Sequence, residues 1–175
     1  IALAHEEMSA ALEGVELAGL MSLLFVALIL HLGLRSLRIL LAIAAMLVMG
    51  VCLTLGFATL VIGELNTLSM IFVVLFFGLG VDFAAHFTLR TQSHLSNNVA
   101  MALVQALKDT GPALILCSLT SAGSFLAFLP TAYRGFAELG VISAGGIAIA
   151  LLLTLTVIPA ALMCWSPAPQ DSSRK

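Results

Sequence analysis

"SMIFVVLFFGLGVDFAAHF", residues 69–87, is an apolar run into which one aspartate and one histidine are set four residues apart. About 20 apolar residues are enough for a helix to cross the hydrocarbon core of a bilayer. The run qualifies as a membrane span at about 67–89. On a helix, Asp82 and His86 stand at i and i+4, on one face and about one turn apart. The rest of the chain decides what that pair is for.

The chain has 175 residues, of which 61% are hydrophobic and 9% charged, and a mean hydropathy of +1.16. A soluble domain carries about 25% charged residues, so the composition points to an all-α integral membrane protein. The net charge of −2 decides nothing by itself. No basic stripe is present for a nucleic-acid partner. Five stretches are long enough to span: about 15–33, 38–62, 67–89, 112–130 and 137–164. Their length and lack of alternation exclude barrel strands, and open sheet edges do not occur in lipid, so these are expected to be helices. The long connection "RTQSHLSNNVAMALVQALKDTG" has Val99, Leu103, Ala106 and Leu107 at helical spacing. It predicts a short amphipathic helix at about 97–108, lying on the membrane surface. The expected fold is a five-transmembrane-helix bundle, residues 15–164, with this one interfacial helix.

Arg35, Arg38, Arg90, Lys108, Arg174 and Lys175 fall on one side of such a bundle, and Arg134 on the other. The positive-inside rule then places the interfacial helix and the tail 165–175 in the cytoplasm. Residues 1–14 become the end of an exterior segment. The chain opens at Ile1 within a polar, helix-like stretch and shows no signal-peptide pattern. It reads as a piece of a longer multi-pass membrane protein.

An aspartate at mid-bilayer costs about 2.5–3.5 kcal/mol on insertion scales, and such residues face a bundle interior or a water-filled path. Burial brings the titrations of carboxylic acids and imidazoles toward one another, which a proton relay requires. The alternative is a neutral aspartate bonded to the histidine as glue between helices. Gly78 lies one turn before Asp82 on the same face, and Gly80 follows it. Together they predict close approach by a neighbouring helix or local unwinding. In "CSLTSAGSF", Ser118, Thr120, Ser121 and Ser124 form a hydroxyl cluster that either extends the relay or bonds to its own helix backbone. Ala144/Ala148 and Gly146/Ala150 are small-residue pairs for packing. His31, at an expected helix end near Arg35, reads as a solvated interfacial residue. Cys52, Cys117 and Cys164 are scattered through apolar segments and read as packing residues. No catalytic set, metal cluster or phosphate loop is visible, so neither an enzyme nor an ATP-driven pump is expected.

Taken together, these segments resemble the resistance–nodulation–division (RND) superfamily in its MMPL branch. "GLGVDFAAHF" resembles the family's fourth-helix signature G-x-G-x-D-x-x-x-H, and "GELNTLS" the loop leading into it. "ALKDTGPALILCSLTSAGSFLAF" is similar to its amphipathic and fifth helices. "ALAHEEMSAALEGVELAGL" and "LGLRSLRILLAI" look most like the hopanoid-associated RND transporters of Gram-negative bacteria. The resemblance covers about 15–164. It implies helices two to six of the first half of an RND transmembrane domain. Helix one, its large periplasmic domain and the whole second half would lie outside this piece.

The implied function is export of a hydrophobic, hopanoid-like lipid. Protons would be the coupling ion, no other cofactor would be needed, and Asp82 and His86 would form the relay. Implied partners are membrane lipids, the lipid cargo and the missing second half; a homo-oligomer stays open. One departure is that Asp82 is a lone acid, where some drug-efflux relatives carry two. The same five-helix unit is called a sterol-sensing domain in eukaryotic relatives. A lipid-binding or scaffold module without transport is therefore the competing expectation.

Overall fold

The computed structural model describes residues 36–63, 67–95 and 98–164, together with isolated helical positions between Met21 and Gly33. The expected segment 1–14, most of the expected first span at 15–33 and the tail 165–175 lie outside the described residues. The chain divides into two compact units, Ile1–Arg35 and Ser36–Lys175. The second unit carries Asp82 and His86.

This unit contains four helices: α1 (Leu37–Val61), α2 (Thr67–Ser93), α3 (Val99–Leu126) and α4 (Arg134–Cys164). No strand occurs among the described residues. Three of the four, α1, α3 and α4, are long and apolar enough to cross a membrane. Helices α1, α2 and α4 coincide within a few residues with the stretches expected at 38–62, 67–89 and 137–164. Gly63 closes α1 with φ +87°, a left-handed conformation that glycine adopts without a Cβ penalty. Its amide donates to the Thr59 carbonyl at 3.1 Å.

The fourth stretch differs from expectation. The segment expected to lie apart as an interfacial helix at about 97–108 runs without a break into the span expected at 112–130. Asn98 caps the joined helix, its Oδ1 accepting from the amides of Ala100 (3.0 Å) and Met101 (3.3 Å). Pro112 lies inside it. A proline withholds one amide from the helix ladder but need not end a helix held by its surroundings. At 28 residues, α3 is about 42 Å long, well beyond the roughly 30 Å of a hydrocarbon core. Its amphipathic first part, which ends in the polar Lys108, Asp109 and Thr110, can therefore extend past the fully apolar part, which begins near Gly111.

Helix α4 packs against each of the other three, while α1 and α3 do not touch among the described residues. The reason is its small side chains. A methyl group built at Gly146 would overlap the Phe72 ring of α2, and one at Gly145 would overlap the Phe57 ring of α1. At Gly140 it would sit 2.5 Å from the Phe125 carbonyl oxygen of α3. Phe76 of α2 uses Gly50 of α1 in the same way. Lipid tails supply little net hydrophobic drive between membrane helices, so stability comes from such close van der Waals packing. Thr154 of α4 adds a weak hydroxyl contact to the Met46 sulfur of α1 at 3.7 Å.

Gly146→Leu should overpack this contact and cost about 1–3 kcal/mol. A fall in the thermal midpoint of the detergent-solubilised full-length protein checks it. Gly123→Ala, where a Cβ meets nothing within 4 Å, should leave the midpoint unchanged or raised.

Candidate functional site

Helix α2 has two dissimilar faces. Phe72, Phe76, Gly80, Phe83, Ala84 and Phe87 are buried. On the opposite side Leu75, Gly78, Asp82, His86 and Leu89 form one exposed stripe. Asp82 and His86 thus share a face as their spacing predicts, but that face is open. Within this unit they are not enclosed in the bundle interior, contrary to the expectation for such residues. The cause is the aromatic side of α2, which fits the glycine recesses of α1 and α4 and turns the polar pair outward. No hydrogen bond joins Asp82 to His86.

The glycines divide in the same way. At Gly80 a Cβ would come within 2.7 Å of a Leu47 methyl of α1, so close approach occurs there. At Gly78, the expected approach point, a Cβ would meet nothing within 4 Å.

The hydroxyls of α3 do not converge on Asp82. Thr120 donates to the carbonyls of Leu116 and Cys117, both at 3.0 Å, and Ser124 to that of Thr120 at 2.9 Å. Ser118 is buried and Ser121 half-buried. No hydrogen bond links any of the four to Asp82 among the described residues. Serines and threonines in an apolar helix can instead bond to their own backbone, and Thr120 and Ser124 do so.

A second polar centre was not singled out in the sequence. At the far end of α2, Arg90 donates to Asp109 Oδ2 of α3 through Nη2 (2.7 Å) and Nε (3.1 Å). His94 Nε2 lies 2.8 Å from the same oxygen. Gln105, one turn earlier on α3, donates to Oδ1 at 3.3 Å. One carboxylate thus ties two helices together at the amphipathic first part of α3. The Gln105/Asp109 spacing was a usable signal, but the pairing with Arg90 and His94 needs the α2–α3 hairpin. Outside the apolar stretch, the His94 hydrogen bond and then the Arg90 guanidinium hold the Asp109 carboxyl below its ordinary range, against a smaller opposing effect of burial. At the opposite end of the bundle, Arg134 pairs with Glu138 at 2.7 Å, one turn along α4. Tyr133, Phe128 and Phe136 cluster there with ring centroids 5.4–6.1 Å apart, as aromatic residues do at membrane interfaces. Among the described residues no cluster of His, Cys, Asp and Glu could hold a metal.

The model of the MMPL family matches residues 1–175. The chain is 39% identical over 170 residues to the hopanoid transporter HpnN of Rhodopseudomonas palustris, covering 96% of this chain and 20% of that protein. It is 40% identical over 167 residues to HpnN of Burkholderia multivorans, covering 94% of this chain and 19% of that protein. A putative membrane protein, ActII-3 of Streptomyces coelicolor, is 33% identical over 99 residues, 54% of this chain and 14% of its own. The chain thus spans about a fifth of the length of the hopanoid transporters it matches.

The Asp109 tie predicts a pH dependence. A carboxyl whose folded value lies below its unfolded value stabilises fully above the unfolded value, and the contribution fades as pH falls through the folded one. Asp109→Asn in the full-length protein should therefore lower the thermal midpoint at pH 7. The difference from the native protein should shrink as pH drops through about 4 and below. Because the pair is partly exposed, added salt should reduce the difference as well. Melting curves across pH and ionic strength check both.

Proposed function

The chain belongs to the MMPL family, and we propose that it supplies the first-half transmembrane helices of a proton-driven lipid exporter of the RND type. The observation that carries this reading is the exposed stripe of α2. It presents Gly78, Asp82 and His86 on a helix whose other side is firmly packed. An aspartate facing lipid at this depth would cost several kcal/mol. A protein surface or a water path opposite it removes that cost. The hopanoid transporters similar to this chain are about five times longer. We place their second transmembrane half against the open stripe.

In this reading Asp82 takes up a proton from the periplasmic side and His86 hands it inward. Neutralising Asp82 changes which surface the stripe prefers, and the halves repack. Each charge moved across 100 mV is worth about 2.3 kcal/mol. The cargo is a hydrophobic lipid of the hopanoid type, by likeness to the hopanoid transporters. Among the described residues Arg38, Arg90 and Lys108 lie at one end of the bundle and Arg134 at the other, which supports a bacterial inner-membrane protein with the α2–α3 connection and C-terminus in the cytoplasm and the N-terminus periplasmic. Thr120 and Ser124, bonded to their own helix, are left out of the relay.

Asp82→Asn keeps the size of the side chain and removes its titration. In the full-length protein, reconstituted with an imposed proton gradient, it should bring lipid export to background while expression and insertion hold. His86→Gln should slow export less severely. Export unchanged in Asp82→Asn would refute the relay and favour a lipid-sensing or scaffold module.

A further inference from the structure

Beside the Asp109 tie lies a groove of about 490 Å³, lined by His94, Asn98, Met101, Val104, Gln105 and Lys108 among others. Its volume falls in the range of small-ligand sites. The one nearby acid among the described residues, Asp109, does not line it and has its oxygens occupied by Arg90, His94 and Gln105. The groove wall is largely apolar, through Ala100, Met101, Ala102 and Val104, and the polar side chains on it offer donors and the positive charge of Lys108. The Lys108 ammonium makes no ion pair among the described residues, and the Gln105 and Asn98 amides have N–H groups to give. An anion with oxygen acceptors complements this set.

Three residues of the groove wall, Met101, Gln105 and Lys108, belong to a longer exposed face of α3. Met101, Gln105, Lys108, Pro112, Ile115 and Leu119 recur at helical spacing on one exposed face of α3. Gln105 and Lys108 precede Gly111, and Pro112, Ile115 and Leu119 follow it. Lys108 and Gln105 stand about 4.5 and 9 Å beyond the start of the apolar part. A headgroup layer is about 5–8 Å thick on each side of a bilayer. Ile115 and Leu119 are 45% and 65% exposed and lie where acyl chains would run.

We propose that this groove binds the phosphate headgroup of an anionic phospholipid of the surrounding bilayer, with its acyl chains along α3. The site is separate from the Asp82 stripe, which lies on another helix. The proposal rests on the membrane placement of α3 and not on proton-coupled export.

The test uses the full-length protein in nanodiscs of phosphatidylcholine with or without phosphatidylglycerol, followed by detergent release and native mass spectrometry of retained lipid. The native protein should retain phosphatidylglycerol in preference to phosphatidylcholine. Lys108→Gln should cut that preference roughly fivefold, as expected for one basic side chain at a membrane surface. Lys108→Arg should keep it, and Arg134→Gln, at the other end of the bundle, should leave it unchanged. Equal retention by the native protein and Lys108→Gln would overturn the proposal. So would displacement of the lipid by excess inorganic phosphate, which would assign the groove to a soluble phosphate compound. Since retention is read without transport, failure here leaves the Asp82 relay standing, and failure of Asp82→Asn to stop export leaves this site standing.

Discussion

The four-helix unit depends on rings entering glycine recesses. Phe57 and Phe72 fit against Gly145 and Gly146 of α4, and Phe76 against Gly50 of α1. In lipid, helix association relies on this close fit, because exposed leucines are already in a comfortable solvent. The fit fixes the rotation of α2 about its own axis. With Phe72, Phe76 and Phe87 turned inward, the stripe containing Asp82 and His86 has to face outward. The orientation of the Asp82/His86 pair is thus set by apolar rings on the opposite face of the same helix.

The two ends of the unit are finished differently. Where α2 meets α3, one carboxylate collects Arg90, His94 and Gln105. Where α3 meets α4, aromatic rings gather around a turn and one i, i+4 ion pair starts the next helix. From Thr110 to Leu126 the chain rises about 26 Å, close to the thickness of a hydrocarbon core. The polar tie and the aromatic cluster are therefore spaced as the two boundaries of a hydrocarbon core would be. The continuous α3 adds its amphipathic first part to that length.

Much of this was legible in the residues. Hydropathy alone placed α1, α2 and α4, since nothing in a membrane competes with the helix for unsatisfied backbone groups. The i, i+4 spacing of Asp82 and His86 put them on one face. Burial was harder to read, because a polar residue in an apolar helix says only that it avoids lipid, not which neighbour shields it. Gly78 and Gly80 show the same gap. They look alike in sequence, yet Gly80 meets Leu47 and Gly78 meets nothing in this unit. The division of 97–130 into two helices rested on the polarity around Lys108 and Asp109 and on Pro112, and both are absorbed by one continuous helix. The Asp109 tie joins residues 15 and 19 positions apart, a relation that helical spacing within one element cannot reveal.

Among the described residues, helices α1 and α3 do not touch, and both lean on α4. Mechanically, α4 is a post with separate partners around it. A displacement of α3 reaches α1 only by way of α4 or α2, since packed interfaces carry such couplings. The α2–α3 hairpin is tied at its Asp109 end, so those two helices travel together there. Helix α1 is carried along through its glycine contacts, Phe76 at Gly50 and Phe57 at Gly145, so α4 and α2 are the two routes by which a movement of α3 reaches it.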